Sequence, residues 1–475
     1  MVNSQTLYEF VEKQWKEDII PSLCEYIKIP NKSPHFDAKW QEHGYMDKAV
    51  NHIANWCQAH APKGMELEIL RLPGRTPLIF MDIPGQGDET VLLYGHLDKQ
   101  PEMTGWNEGL SPWTPVLKDG RLYGRGAADD GYAAYASITA IRALQEEGLA
   151  HARCVLIIEA CEESGSYDLP YYIDELQARI GQPTLVICLD SGAGNYEQLW
   201  MTTSLRGNIV GELSVELIRE GVHSGYASGI VADSFRVAKQ LISRIEDEAS
   251  GEIKLTQLHC DIPVERINEA ADCAGVLGAE LYNTFPFHSG VVPVSKDQQQ
   301  LILNRTWRPA LTITGADGIP AIVDAGNVMR PKTALKLSMR LPPTVCPKEA
   351  SLLLQKALTE NPPYGAKVSF RIDDGAMGWH APILADWLAK AADDASMTFF
   401  QNPAVYMGEG GTIPFMGMLG EKFPKAQFVI TGVLGPQSNA HGPNEFLHID
   451  MVKKLTSCVA YILHQQCNVI TTIND

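Results

Sequence analysis

Five apolar, β-branched runs, at 67–72, 77–83, 89–98, 153–160 and 184–190, alternate with helical stretches such as YAAYASITAIRALQEEG (132–148). Strands that alternate with helices fold into layers, the helices packed on a largely parallel sheet. The C-terminal part returns to this grammar, with a helix predicted over 383–395, a strand in AQFVITGVL (426–434) and a helix in DMVKKLTSCVAYILHQ (450–465). Between about 208 and 375 the texture changes. NIVGELSVELI precedes the helix DSFRVAKQLISRIED (233–247); ALKLSMRLP precedes the helix PKEASLLLQKAL (347–358) and the strand AKVSFRI (366–372). Two such halves predict an α+β two-layer sandwich inserted into an α/β domain whose central sheet is mostly parallel and flanked by helices. At 475 residues the chain exceeds what one core organises, so a division into 1–206 plus 382–475 around an insert at 207–381 is expected.

The formal net charge of −18 argues against nucleic acid or an anionic membrane as partner, since both demand a positive surface. Ten cysteines, at 24, 57, 154, 161, 188, 260, 273, 346, 458 and 467, include no C-x-x-C pair, which excludes a zinc ribbon or a small disulfide scaffold. Glu9, Glu12 and Asp18 fall inside an amphipathic N-terminal helix, so no secretory signal is expected there. No apolar run reaches the roughly 18 residues of a membrane span. The expected compartment is the cytoplasm.

Ligands of open α/β sheets bind beyond the carboxyl ends of the strands. There LLYGHLD delivers His96 and Asp98, EACEESGS delivers Glu162 and Glu163, VICLDSG delivers Asp190, and the run 426–434 is followed by His441 in GPQSNAHGPNEF. Asp129 and Asp130 stand in LYGRGAADDG, just before a helix. Taken singly these are ordinary residues: an aspartate at a strand end is usually a helix cap and a Glu-Glu pair is usually solvated. Converging on one sheet end, they would repel one another unless a cation compensates. Imidazoles and carboxylates without thiolates suit zinc, with manganese or cobalt as substitutes. Asp129, Glu163, Asp190, His96, His441 and a bridging hydroxide would neutralise two divalent ions, leaving Asp98 to receive the other N–H of His96. The glycines of GRGAAD do not make a dinucleotide fingerprint, because Asp129 stands where the third glycine belongs.

In this order GHLD, LYGRGAADD, EACEESGS, CLDSG and AHGPNEF resemble the motifs of the carnosinase and aminoacylase group of dinuclear-zinc peptidases and deacylases. LRG (205–207), GVHSG (221–225), KLSMRLPP (336–343), GWHAP (378–382) and GEGGTIP (408–414) agree with it. The resemblance implies a catalytic domain of two segments and a lid that dimerises. It implies two zinc ions per chain: His96 and Asp190 on one, Glu163 and His441 on the other, Asp129 bridging. Glu162 would be the general base, and His223, in the lid, would reach the active site of the partner subunit. Arg340 would clamp a substrate carboxylate, with His380, Gly410 and Gly411 as further contacts and Asn304 as a weaker one. One departure stands out: the group reads Asp-x-Lys-Gly at the bridge, and here Gly131 and Tyr132 follow Asp130. The implied activity is hydrolysis of an amide beside a carboxylate, as a dipeptidase or carboxypeptidase. An N-acyl-amino-acid deacylase or desuccinylase on the same scaffold, or a binding homologue without chemistry, are the alternatives. A small peptide or N-acyl amino acid is the expected partner.

Overall fold

The computed structural model describes residues 3–474, apart from the side chains of Asp374, Pro414 and 469–474. In chain order the strands that position the site are β1 (Glu66–Leu70), β2 (Leu78–Ile83), β3 (Thr90–His96), β4 (Arg153–Glu159), β5 (Leu185–Cys188), β6 (Trp200–Leu205), β7 (Gly207–Glu216), β8 (Ala310–Asp317), β9 (Lys332–Leu341), β10 (Lys367–Ala376), β11 (Trp379–His380), β12 (Val405–Glu409) and β13 (Gln427–Ile430). The central sheet has the order β1-β2-β4-β3-β5-β13. β4, β3, β5 and β13 run parallel, while β1 and β2 close one edge antiparallel, so the expected parallel character holds where the strands end at the site.

Every residue of β3 is buried. Side chains alternate along a strand, so both sheet faces must be covered. Val91 and Leu93 pack with the helix Ala133–Glu146 and the C-terminal helix Ile449–Asn474, whereas Leu92 and Tyr94 pack with the helices Leu169–Ile180 and Pro414–Lys422. Gly95 is required by this closeness: a Cβ there would lie 2.5 Å from the Ala133 Cβ and 2.8 Å from Asp130 Oδ2. The strand expected over 89–98 stops at His96.

β8-β9-β7-β10 form a second, wholly antiparallel sheet. The helices Ser234–Ile242 and Pro347–Thr359 cover one of its faces, with Val237, Leu241, Leu354 and Leu358 packed on Leu213, Leu335 and Leu337. Two further helices, Val264–Leu277 and Gln298–Thr306, belong by sequence to the same stretch but pack elsewhere. Their Cys273, Leu277, Ile302 and Leu303 join Trp200, Met201 and Met407 in the core of the larger layer. A small sheet, β11-β6-β12, links the two parts.

Candidate active site

Three adjacent parallel strands deliver the site. β3 ends in His96, which is buried; β4 runs into a single 3₁₀ turn, Glu162–Ser164; β5 leads to Asp190. His441 comes from the loop after β13 and has φ 64°, a left-handed conformation uncommon for a residue with a side chain. Asp129 enters from the glycine-rich turn before the helix Ala133–Glu146, joined to Asp130 by a cis peptide.

The side chains converge on Asp129. His96 Nε2 lies 3.2 Å from Asp129 Oδ1 and 3.7 Å from Asp190 Oδ2. On the other side His441 Nε2 lies 3.0 Å from Asp129 Oδ2 and 3.3 Å from Glu163 Oε2. Two ligand groups thus form, His96–Asp129–Asp190 and Asp129–Glu163–His441, each with donor atoms within 4.8 Å of one another, and Asp129 belongs to both. Glu163 Oε1 is buried without a hydrogen-bond partner, although Gln100 Nε2 donates to its Oε2 at 2.6 Å. A carboxylate with one orphaned oxygen and the other facing His441, beside an aspartate shared with His96, fits a pair of divalent cations.

The electrostatics carry the same message. Burial, reinforced by the charge of Asp190, pushes the Glu162 carboxyl well above the usual carboxylate range; burial and Asp129 do the same to Glu163. Burial raises Asp190 to about 6. Asp129 alone is driven down: burial opposes ionisation there too, but hydrogen bonds from His441 and His96 outweigh it. Without cations the cluster holds protons that ligands must give up.

Asp98 does more than the sequence suggested. Its carbonyl oxygen lies 3.2 Å and its Oδ1 3.5 Å from His96 Nδ1, while Oδ1 and Oδ2 accept the backbone N–H groups of Glu162 and Glu163 at 3.1 and 3.0 Å. One buried carboxylate therefore orients the imidazole and the Glu-Glu turn together. Glu445, quoted in the AHGPNEF motif but given no role, is fully buried. It accepts from the N–H groups of Gly126, Ala128 and Asp129 and from Arg125 Nη1 at 2.8 Å, tying the His441 loop to the bridging loop. Tyr132, half of the departure from the group's pattern, is buried and donates to the carbonyl of Leu189, next to Asp190.

Asp129, Glu162, Asp190 and His441 open into a cavity of about 410 Å³, whose far walls include Arg305, Glu409, Gly411, Thr412 and Leu281. Arg340 stands behind this wall, donating to Thr412 Oγ1 at 3.0 Å. The Gly410 carbonyl accepts from Arg206 Nε at 3.3 Å. His380 lies outside the cavity, against Arg266 and Trp307, and Asn304 accepts from Arg308. His223 is exposed on a two-residue strand pairing with Val328–Met329, away from its own chain's cavity. Arg305 escaped the sequence reading because its segment fell inside the stretch assigned to the insert, and Glu409 stood in the GEGGTIP motif without a role.

The family model described as Peptidase family M20/M25/M40 matches residues 92–465. Cysteinylglycine-S-conjugate dipeptidase of Corynebacterium striatum is 26% identical over 445 residues, 90% of this chain and 91% of its own length. Beta-Ala-His dipeptidase of Homo sapiens is 27% identical over 388 residues, 78% of this chain and 72% of its own. The solved structure of the di-peptidase Dug1p from Saccharomyces cerevisiae shares the fold, with a TM-score of 0.75 at 20% identity and 98% of each chain covered.

Proposed function

This chain belongs to peptidase family M20/M25/M40, and from that premise we propose that it is a dinuclear metallodipeptidase holding two zinc ions, with manganese or cobalt as possible substitutes. The observation that carries the reading is the sharing of Asp129 by two ligand groups, with Glu162 in the same cavity. His96 and Asp190 would hold one ion, Glu163 and His441 the other. When bound, the ions lower the pKa of a shared water and polarise the scissile carbonyl.

Glu162 takes the proton of the attacking water on its carboxylate as the C–O bond forms. It then passes that proton to the amine nitrogen as the C–N bond breaks. Asp98 fixes the ring of His96 and the backbone of Glu162, so the base stays aligned with the cavity. Arg340 binds the substrate's terminal carboxylate at the Thr412 wall, with the Gly410–Gly411 backbone as an outer contact; His380, outside the cavity, takes no part. His223 from the lid of a partner subunit supplies an oxyanion donor in a homodimer, a term worth about 10²–10³ in rate. The buried thiols of Cys57, Cys154, Cys161, Cys188, Cys273 and Cys458 are free and support a reducing cytoplasm. Among the described residues no helix is long and apolar enough to cross a membrane.

The names of the matched relatives favour dipeptides over N-acyl amino acids as substrates. Metal-loaded protein offered a dipeptide panel and an N-acetyl amino acid panel is expected to turn over the first set. Turnover confined to the second would replace this reading with a deacylase, and a metal content of zero by mass spectrometry would end it.

A further inference from the structure

Lys99 is the most deeply buried cation near the site, with no exposed surface, and among the described residues no carboxylate pairs with it. Its Nζ donates to the carbonyls of Tyr26 at 2.8 Å and Ile29 at 2.9 Å and lies 3.8 Å above the Tyr26 ring. Burial of an ammonium in this way is costly, so the position must do something that an apolar side chain would not.

The surroundings say what. The methylenes of Lys99 fill the space beside Gly126, where a Cβ would come within 2.6 Å of Cε and 2.8 Å of Cδ and Cγ. Gly126 begins the turn whose N–H groups bind Glu445, and its carbonyl accepts from Gly131 at 3.1 Å, closing the loop that carries Asp129. Tyr26 completes the wall: a Cβ on Gly131 would meet its ring at 2.3 Å. No side chain can therefore project from position 131, where the related group carries its lysine. The same segment holds the metal strand, for Tyr26 Oη and Asn31 Nδ2 both donate to the Leu97 carbonyl at 2.6 Å. Lys99 is thus clamped between the segment 26–31 and the bridging loop, with the buried Glu445 carboxylate attracting its charge.

We propose that Lys99 is a positioning residue that holds the loop 124–131 against the segment 26–31 and so sets Asp129 where it can bridge two cations. The inference rests on the proposed dinuclear function and adds a residue to it from outside the ligand set. A structural strut alone would affect folding; a positioning strut affects how well the preformed loop takes metal.

The test is Lys99→Met, which keeps the methylene volume and removes the charge. Zinc affinity is measured by competition with a chromophoric chelator, and the melting midpoint of the chelator-stripped protein is recorded alongside. Zinc affinity is expected to fall about 10–100-fold, as for other groups that orient metal ligands. The metal-free melting midpoint is expected to stay near that of the wild type. Should Lys99→Met not accumulate folded, Lys99→Gln, which keeps a donor for the two carbonyls, carries the same measurement and thresholds. Affinity within threefold of the wild type overturns the proposal. So does an affinity loss that comes with a collapse of the metal-free protein, because that describes a strut for the fold only. Wild-type protein that takes up no zinc would instead sink the dinuclear reading, and Lys99's role with it.

Discussion

β3 is buried along its whole length, whereas β7 alternates buried and half-buried positions. Both lie inside their sheets, but β3 has helices on two faces and the insert's sheet has them on one. The open face of the insert carries its charges in pairs: Lys336 with Asp373, Arg371 with Glu212 at 3.2 Å, Lys367 with Glu216 at 3.0 Å. Beyond the end of β3 and its neighbours, carboxylates and imidazoles gather, and among the described residues no lysine or arginine pairs with a carboxylate of the proposed ligand set. Water solvates the first arrangement and makes it cheap; protein surrounds the second, and only an added cation makes it stable. Charge on a half-covered sheet is therefore surface, while charge past the end of a fully covered one is a site.

Substitutions should separate the two regions, and the largest effect belongs to the shared ligand. Asp129→Ala is expected to abolish turnover and lower bound metal from two equivalents to below one, read by mass spectrometry; two retained equivalents would dissolve the contrast. Glu162→Gln should keep both ions and lose about 10²–10⁴ in kcat, the usual worth of a positioned general base. Full activity in that variant would remove Glu162 from its role. Glu445→Gln leaves Arg125 buried opposite a neutral amide, and denaturant unfolding should show a loss of about 3–5 kcal/mol.

Metal-free protein should also show the strain of the covered sheet in its pH dependence. Burial holds the folded-state pKa of Asp190 at about 6 and that of Glu159 at about 8, both above the unfolded carboxylate range. Between those values and the unfolded pKa these two groups bind more protons in the folded chain, so the stability they contribute falls as pH rises from about 4 to 8. Calorimetry of stripped protein across that window is the measurement, and a midpoint that climbs with pH would contradict it. Metal loading should flatten the Asp190 part, since the ligand is then favoured as a carboxylate. At the small end, Arg371→Ala on the insert's open face should cost less than about 1 kcal/mol and leave kcat unchanged.

Much of the proposed ligand set could be picked out in the sequence because its members stand at strand ends, and a strand end is a local property. His96 and Asp190 close apolar runs, and Glu163 stands three residues past one. His441 was legible through its motif more than its surroundings, as the loop it occupies has no periodicity. The helices Val264–Leu277 and Gln298–Thr306 fall within the bounds expected for the insert, and nothing in their sequence says that they pack on β12 and bring Arg305 to the cavity. Lys99 reads as an ordinary polar residue after Asp98 until its neighbours are known.

By itself the sequence determined the layer architecture and suggested the proposed donor set and the strands that deliver it, because periodicity and residue type act over a few positions. Tertiary structure alone decided that one aspartate faces both imidazoles, that Glu445 and Lys99 hold its loop, and that His223 stands away from its own cavity. Those relations join residues tens to hundreds of positions apart, and only close packing of the folded chain sets such distances.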